Sequence, residues 1–334
     1  MKHVNITAVF FLTTILTILS GCNENTKILA QDVQFHSEQR DCLKVMTFNI
    51  RTGKAWWLDS WSGNSWENRR RIVVETIAED AADVIGTQEG VASQLEEIQN
   101  ALPQYAKYAA GRDDGRNSGE TCAIFYRKDR FVLVDCGTFW FSTEPEKPGS
   151  KSWGNMFPRI CSWIQLVDRT NLASFYVYNV HLDNLSQNSR KKSVRLLAQR
   201  IAERNTNDPF VLVGDFNMKI DNPAMKYLEQ SGYKDLNASM SNVWQDVYPG
   251  KPKTGTYHKF SGSPKCSKID HISISRSLQA LDVRIDQHEE RGRYPSDHFP
   301  VIATIRMPER NALSMNWGRA ASKPSISAAQ LLRD

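Results

Sequence analysis

From residue 43 onward, apolar and polar positions alternate with a period of two in short runs separated by Gly, Pro, Asn and Asp. Successive side chains of an extended chain point to opposite faces, so this pattern predicts strands. They fall at 43–49, 83–89, 123–127, 131–135, 160–167, 175–182, 210–215, 268–275 and 299–307. In three places the apolar spacing changes to three and four. Val74, Ile77, Ala78 and Ala81 mark a helix over 68–81, a second covers 93–102 and stops before Pro103, and a third over 189–204 puts Val194, Leu197, Ala198 and Ile201 on one face. Residues 144–157, rich in Pro, Gly, Ser and Lys, read as a loop. Many strands with few helices, in an order that is not strictly βαβα, predict an α+β fold of two packed sheets with helices outside. No linker divides the stretch 43–310, and no segment repeats at a fixed period, which excludes solenoids and propellers.

The first residues follow another pattern. Lys2 and His3 precede a mostly apolar stretch over 9–19 that is too short to cross a bilayer as a stable helix, so 1–21 reads as a signal peptide. The following "LSGC" resembles the bacterial lipobox, whose cysteine is acylated and becomes the new first residue; an ordinary signal peptide with an incidental Cys22 is the alternative. Acyl chains on Cys22 would hold the protein to a membrane surface by burying methylenes at about 0.8 kcal/mol each. On this reading 22–41 is a flexible tether, 42–310 the catalytic domain and 311–334 a mobile tail, and the protein is exported and lipid-anchored to the bacterial cell envelope.

Charge narrows the partners. Removal of 1–21 leaves 41 Lys and Arg against 37 Asp and Glu, a balance of +4. That permits a phosphate-bearing partner but lacks the dense basic stripe of non-specific nucleic-acid binders. Cys42, Cys122, Cys136, Cys161 and Cys266 contain no C-x-x-C pair, so neither a zinc site nor a disulfide framework is indicated.

The candidate chemistry stands at strand ends. Asn49 closes "VMTFN", Glu89 closes "VIGTQE", His181 and Asp183 close "YVYNVHLD", Asp215 and Asn217 close "VLVGDFN", Asp270 lies in "KIDHISIS", and Asp297 and His298 lie in "SDHFPV". Each alone has an ordinary reading, such as an Asx-turn, a solvated acid or an interior histidine. Together they ask for convergence at one site. Glu89, Asn49 and Asp297 offer only oxygen, which suits Mg²⁺ or Mn²⁺. Asp215 and Asn217, two apart on an extended chain, would orient an attacking water. Asp270 would fix the tautomer of His298, and His181 would meet a phosphoryl oxygen as charge develops. A cation, a positioned water and an imidazole describe hydrolysis of a phosphoester.

These segments, "MTFNIR", "IGTQE", "YNVHLD", "GDFN", "IDHI" and "SDHFPV", resemble in type and order those of the endonuclease/exonuclease/phosphatase superfamily. The resemblance spans residues 43 to about 307. It implies a four-layer αββα sandwich of two mainly antiparallel sheets with the site at one rim. It also implies metal binding by Glu89 with support from Asn49 and Asp297, and catalysis by His181, Asp215, Asn217, Asp270 and His298. "GRDDG" and "GTFWFSTEPEKPGSK" are most similar to a bacterial exported branch near the deadenylases.

Substrate choice should lie in loops. Arg51, Arg112, Arg159 and Asp183 are candidate substrate contacts. Trp56, Trp57, Trp61 and Trp66 in one loop, and Trp140, Trp153 and Phe157 around another, would stack bases or sugars, pack their own loops, or face the membrane. The expected activity is a Mg²⁺- or Mn²⁺-dependent phosphoesterase acting on a small molecule, a lipid headgroup or a nucleic acid, with a nuclease as the near alternative. A surface-binding protein that kept the fold without catalysis is an alternative of another class.

Overall fold

A computed structural model describes residues 42–54, 57–229, 239–249 and 254–308. The expected signal peptide, Cys22, the tether and the tail 311–334 lie outside the described residues. Within them, one sheet contains β1 (Cys42–Asn49), β2 (Val84–Gln88), β3 (Tyr105–Tyr108), β4 (Cys122–Arg127), β11 (Gln279–Ile285) and β12 (Val301–Arg306). The other contains β5 (Phe131–Trp140), β6 (Ile160–Asp168), β7 (Ser174–His181), β8 (Phe210–Asp215), β9 (Met240–Asn242) and β10 (Asp270–Ser275). Their spatial orders are β11-β12-β1-β2-β4-β3 and β5-β6-β7-β8-β10-β9, six strands each. The helices are α1 (Trp57–Trp61), α2 (Trp66–Asp80), α3 (Ala92–Ala101), α4 (Gln187–Ala202), α5 (Pro223–Glu229) and α6 (Val243–Val247).

Strand alternation sorts the side chains into layers. Val45, Val84 and Ile124 of the first sheet meet Ile164, Val177, Val211, Val213 and Ile272 of the second in one buried cluster. One position along, Met46, Phe48, Ile85 and Phe125 turn outward onto Val73 and Ile77 of α2 and Leu95 and Ile98 of α3. On the other flank Tyr176, Tyr178 and Leu212 meet Val194, Leu197, Ala198 and Ile201 of α4. Two mixed sheets back to back with helices on both outer faces give the four-layer α+β sandwich. Truncating a fully buried residue such as Leu197 to Ala would cost about 2–5 kcal/mol.

Most strand pairs are antiparallel, but β1 with β2 and β7 with β8 run parallel. Parallel neighbours need a crossover, which α2 and α4 supply, and each crossover brings two C-terminal strand ends to the same rim. Below that rim a polar clasp joins the sheets. Gln88 Nε2 donates to Asn179 Oδ1 at 2.8 Å, and Asn179 Nδ2 donates to the carbonyls of Thr87 and Ala123 at 2.9 and 2.8 Å. Gly86 permits this approach, since a Cβ there would stand 2.4 Å from Val213 Cγ2 and 3.0 Å from the Asn179 side chain.

Three strands escape the sequence pattern for a common reason. β3 and β9 are short and stand at sheet edges, and β11 alternates poorly because most of its residues are exposed or half-buried. β5, also an edge, continues past 135 to Trp140 through half-buried residues.

Candidate active site

At the rim the strand ends form two facing rows. Along the first sheet the order is Asp297 and His298 before β12, Asn49 at the end of β1, Glu89 just after β2 and Glu120 just before β4. Along the second it is Asp270 opening β10, Asp215 closing β8, His181 closing β7 and Arg159 just before β6. The register places Asp215 beside both Asp270 and His181. The rows are stitched across the gap. His298 Nδ1 lies 2.8 Å from Asp270 Oδ2, and Asn49 Nδ2 donates to Asp215 Oδ2 at 3.1 Å while also donating to Glu89 Oε1 at 3.0 Å. His181 Nε2 and His298 Nε2 stand 3.7 and 3.9 Å from the same Asp215 oxygen.

The backbone holds these groups under strain. Arg51, Glu89 and Asn217 adopt φ of 56°, 65° and 51°, left-handed conformations costing on the order of 1–3 kcal/mol each for residues with a Cβ. Each turn returns a bond to the site: Arg51 N–H to Asn49 Oδ1 at 3.0 Å, Thr52 N–H to Glu89 Oε2 at 3.2 Å, and Asn217 N–H to Asp215 Oδ1 at 2.8 Å. Gly214 lets β8 lie close to β7 here, because at φ +150° a Cβ would meet the Val180 carbonyl at 2.2 Å.

The sequence profile described as "Endonuclease/Exonuclease/phosphatase family" matches residues 46–298, which covers both rows. The chain belongs to the endonuclease/exonuclease/phosphatase family. A solved family protein from Bacteroides thetaiotaomicron is 32% identical with a TM-score of 0.73, the match covering 80% of this chain and 95% of that one. A mannosyl-6-phosphatase of the same organism is also 32% identical, with a TM-score of 0.72 and coverage of 79% and 99%. Among curated relatives, an uncharacterized protein of Acanthamoeba polyphaga mimivirus is 28% identical over 78% of this chain and 98% of its own length. Nocturnin of Drosophila melanogaster is 22% identical over 73% of this chain, which spans 42% of that protein. Members of the family are hydrolases acting on phosphoesters, typically with a divalent metal.

Electrostatics differ along the rows. Burial depresses His298, but the charge and hydrogen bond of Asp270, with Asp215 and Asp297, outweigh it and push the imidazolium up to about 10. Burial, reinforced by Asp270, raises Asp215 to about 7 against the pull of His298. His181 moves oppositely: burial and then the charges of Arg159, Arg112 and His298 hold it well below the ordinary value, so it is neutral. Burial acts to raise Glu89, yet Arg51 and the Asn49 amide bring it below its usual range, while burial and the Glu89 charge raise Asp297.

The donor chemistry fits a hard cation. Glu89 Oε2 and Asp297 Oδ2 both lie near Arg51 Nη1, at 3.8 and 3.9 Å, so a half-buried and a buried carboxylate converge on one point. Asn49 presents its amide nitrogen to Glu89 and Asp215 and its oxygen to a backbone N–H, so it orients the carboxylates. Asp215, Asp270 and His298 also offer ligand atoms within 4.8 Å of one another.

The candidate substrate contacts divide. Arg51 is tied inward by Asp59 at 3.0 Å and by the two carboxylates. Asp183 is buried and accepts from the N–H groups of Leu185 and Ser186 at 3.0 and 2.6 Å, holding the turn into α4. Its other oxygen stands 3.6 Å from Arg159 Nε. Arg112 and Arg159 lie at the far end of the rows from His298. Of the tryptophans, Trp66 and Trp140 are buried, bonding Glu97 and the Arg112 carbonyl, whereas Trp61 is exposed. Trp56 lies outside the described residues, as does the side chain of Trp57.

Sequence reading missed Glu120 and the work of Arg69. Glu120 pairs with Arg112 at 2.5 Å, and burial with the Glu89 charge pushes it up to about 7. It stands two residues before β4, and the polar groups just ahead of predicted strands are the signal that points to it. Arg69 is wholly buried and spends its donors on the carbonyls of Ile50, Arg51, Thr52, Asn64 and Pro295, clamping the β1 exit to the loop before β12. Arginine at a helical position gives no such signal.

Proposed function

We propose that the chain is a divalent-metal-dependent phosphoesterase that hydrolyses a phosphate ester of a small molecule by in-line attack of water, with Mg²⁺ or Mn²⁺ as cofactor. The observation that carries this is Asp215 at the meeting point of both rows, its carboxylate fixed by Asn49 and the Asn217 N–H with two imidazoles within 4 Å. Glu89 and Asp297 would hold the ion, since an oxygen-only pair suits a hard cation and His298 is already engaged with Asp270. When bound, the cation supplies Lewis acidity and charge neutralisation to phosphoryl oxygens.

The protein groups divide the remaining work. Asp215, with a pKa near 7, accepts a proton from the attacking water, and Asn217 directs that water, its Nδ2 held by the Leu182 carbonyl at 3.0 Å. Neutral His181 donates to a phosphoryl oxygen, and imidazolium His298, held by Asp270, stabilises the charge that builds there. The water oxygen bonds to phosphorus, the bond to the leaving oxygen breaks, and that oxygen takes up a proton from solvent.

The likeness to a mannosyl-6-phosphatase over nearly all of that chain favours a phosphorylated sugar as substrate. A nuclease is the second reading, favoured by the 23% identity to the 3'-5'-exoribonuclease subunit Ccr4 of Kluyveromyces lactis. Hexose 6-phosphates, p-nitrophenyl phosphate, bis(p-nitrophenyl) phosphate, RNA and DNA, each with Mg²⁺ and with chelator, separate the two. Monoester turnover that needs the metal supports the first reading; turnover confined to RNA or DNA supports the second. We further propose, from "LSGC", export and lipid anchoring at Cys22.

A further inference from the structure

We propose that Arg112, Glu120, Phe157 and Arg159 form the subsite for the leaving group, and that the leaving group is a polyhydroxylated alcohol, a sugar. The inference rests on the phosphoesterase reading above and adds to it where, and by what chemistry, the rest of the substrate is held.

Position comes from the rows. Asp215, the base for water, lies toward the Asp270 and His298 end. In-line displacement expels the leaving oxygen on the side of phosphorus opposite the water, which runs along the rows past Glu89 and His181 toward β4 and β6. The two sheets touch there: Cys122 Sγ lies 3.6 Å from the Ile160 carbonyl. Glu120 leads into Cys122 and Arg159 into Ile160, so the two side chains arise on facing strand starts beside Glu89 and His181. Thr121 N–H bonds the Gly90 carbonyl at 2.9 Å, which pins Glu120 to the chain that follows Glu89.

The groups at this end are preorganised. Arg112 Nη1 donates to Glu120 Oε2 at 2.5 Å, its N–H to the Glu120 carbonyl at 3.0 Å, and its own carbonyl accepts from Trp140 Nε1 at 2.6 Å. Its guanidinium lies 5.1 Å from the centre of the Phe157 ring. Arg159 is buried, with Nη2 donating to Asn184 Oδ1 at 3.0 Å. The Nε of Arg112 is a buried donor without a hydrogen-bond partner among the described residues, whereas that of Arg159 faces Asp183 Oδ2 at 3.6 Å.

Chemistry then selects the ligand. Planar donors beside a carboxylate acceptor match neighbouring hydroxyls, and an exposed aromatic face suits the C–H face of a sugar ring. Each arginine already has an acid, Glu120 or Asp183, so the subsite carries little spare positive charge. That is wrong for a second phosphate, as in a nucleic-acid backbone.

The test compares kcat/KM for a hexose 6-phosphate, a 5'-nucleotide and p-nitrophenyl phosphate, in the wild type and in Glu120→Gln and Phe157→Ala. Phe157 is 44% exposed, so its truncation leaves folding intact. The proposal expects the wild type to favour the hexose phosphate, and each variant to lose about tenfold or more of that preference over the aryl ester, mainly through KM. Equal losses on both esters, or none, overturn the subsite. A wild type that cleaves the aryl ester better than both the hexose phosphate and the nucleotide, whose leaving group is a ribose, overturns the sugar while the phosphoesterase reading stands. Absence of turnover on every ester removes the reading and the subsite together.

Discussion

His298 leads into a strand of one sheet and Asp270 opens a strand of the other, and Nδ1 of the first is 2.8 Å from Oδ2 of the second. The sandwich must close correctly for this pair to exist, so the charged imidazolium is a product of the tertiary fold. Asp270 opens β10 directly beside Asp215, and its second oxygen is buried without a hydrogen-bond partner among the described residues.

Asp270→Asn keeps the shape of that contact and removes the charge. With its partner neutralised, His298 should lose the proton it holds up to about 10. We expect kcat to fall roughly 10²- to 10⁴-fold with little change in thermal midpoint. A folded variant that keeps full activity would show that Asp270 does not tune His298.

Activity should be bell-shaped in pH. Asp215 works as the carboxylate, so kcat/KM rises through about 7; His298 works as the imidazolium, so it falls toward about 10. A dication beside Glu89 favours the Asp215 carboxylate, so raising Mg²⁺ should move the acid limb to lower pH. Rate profiles at limiting and saturating Mg²⁺ check the direction.

Asn179→Ala tests the clasp under the site. It leaves the carbonyls of Thr87 and Ala123 short of a buried donor, at a cost of about 2–4 kcal/mol, while Gln88 Nε2 keeps Thr47 Oγ1 and the Gly86 carbonyl. Urea unfolding should show a lower midpoint with an unchanged slope.

Anchoring at Cys22 has a simple readout. In cells, the full chain should take up labelled palmitate and fractionate with membranes, whereas Cys22→Ser should do neither.

How much of this was legible in the sequence depends on what each residue signals. Strands such as β8, apolar throughout and ended by "GDFN", announce themselves, and so do the polar groups that close them. α4 is equally plain because four apolar residues share one face. Edge strands β3, β9 and β11 are not, since a strand half in water keeps little alternation. For the site, residue type and strand-end position were enough to nominate Asn49, Glu89, Asp215 and His298. Which atoms face which was not readable: that Asn49 donates to two acids at once, or that Arg69 spends itself on carbonyls, depends on contacts between residues far apart in the chain. Glu120 gives no strand-end signal, because it stands in the loop before β4 and is separated from the apolar run by Thr121.

The central claim is that the two rows make one metal-dependent hydrolytic site. Its most direct measurement is turnover of p-nitrophenyl phosphate and a hexose 6-phosphate against Mg²⁺ concentration, in the wild type, Glu89→Gln and Asp215→Asn. We expect loss on chelation, recovery on adding Mg²⁺, a Mg²⁺ midpoint raised about tenfold or more in Glu89→Gln, and a fall of at least about 10²-fold in Asp215→Asn at every Mg²⁺ concentration. Turnover that survives chelator, or that persists undiminished in Asp215→Asn, would contradict the claim.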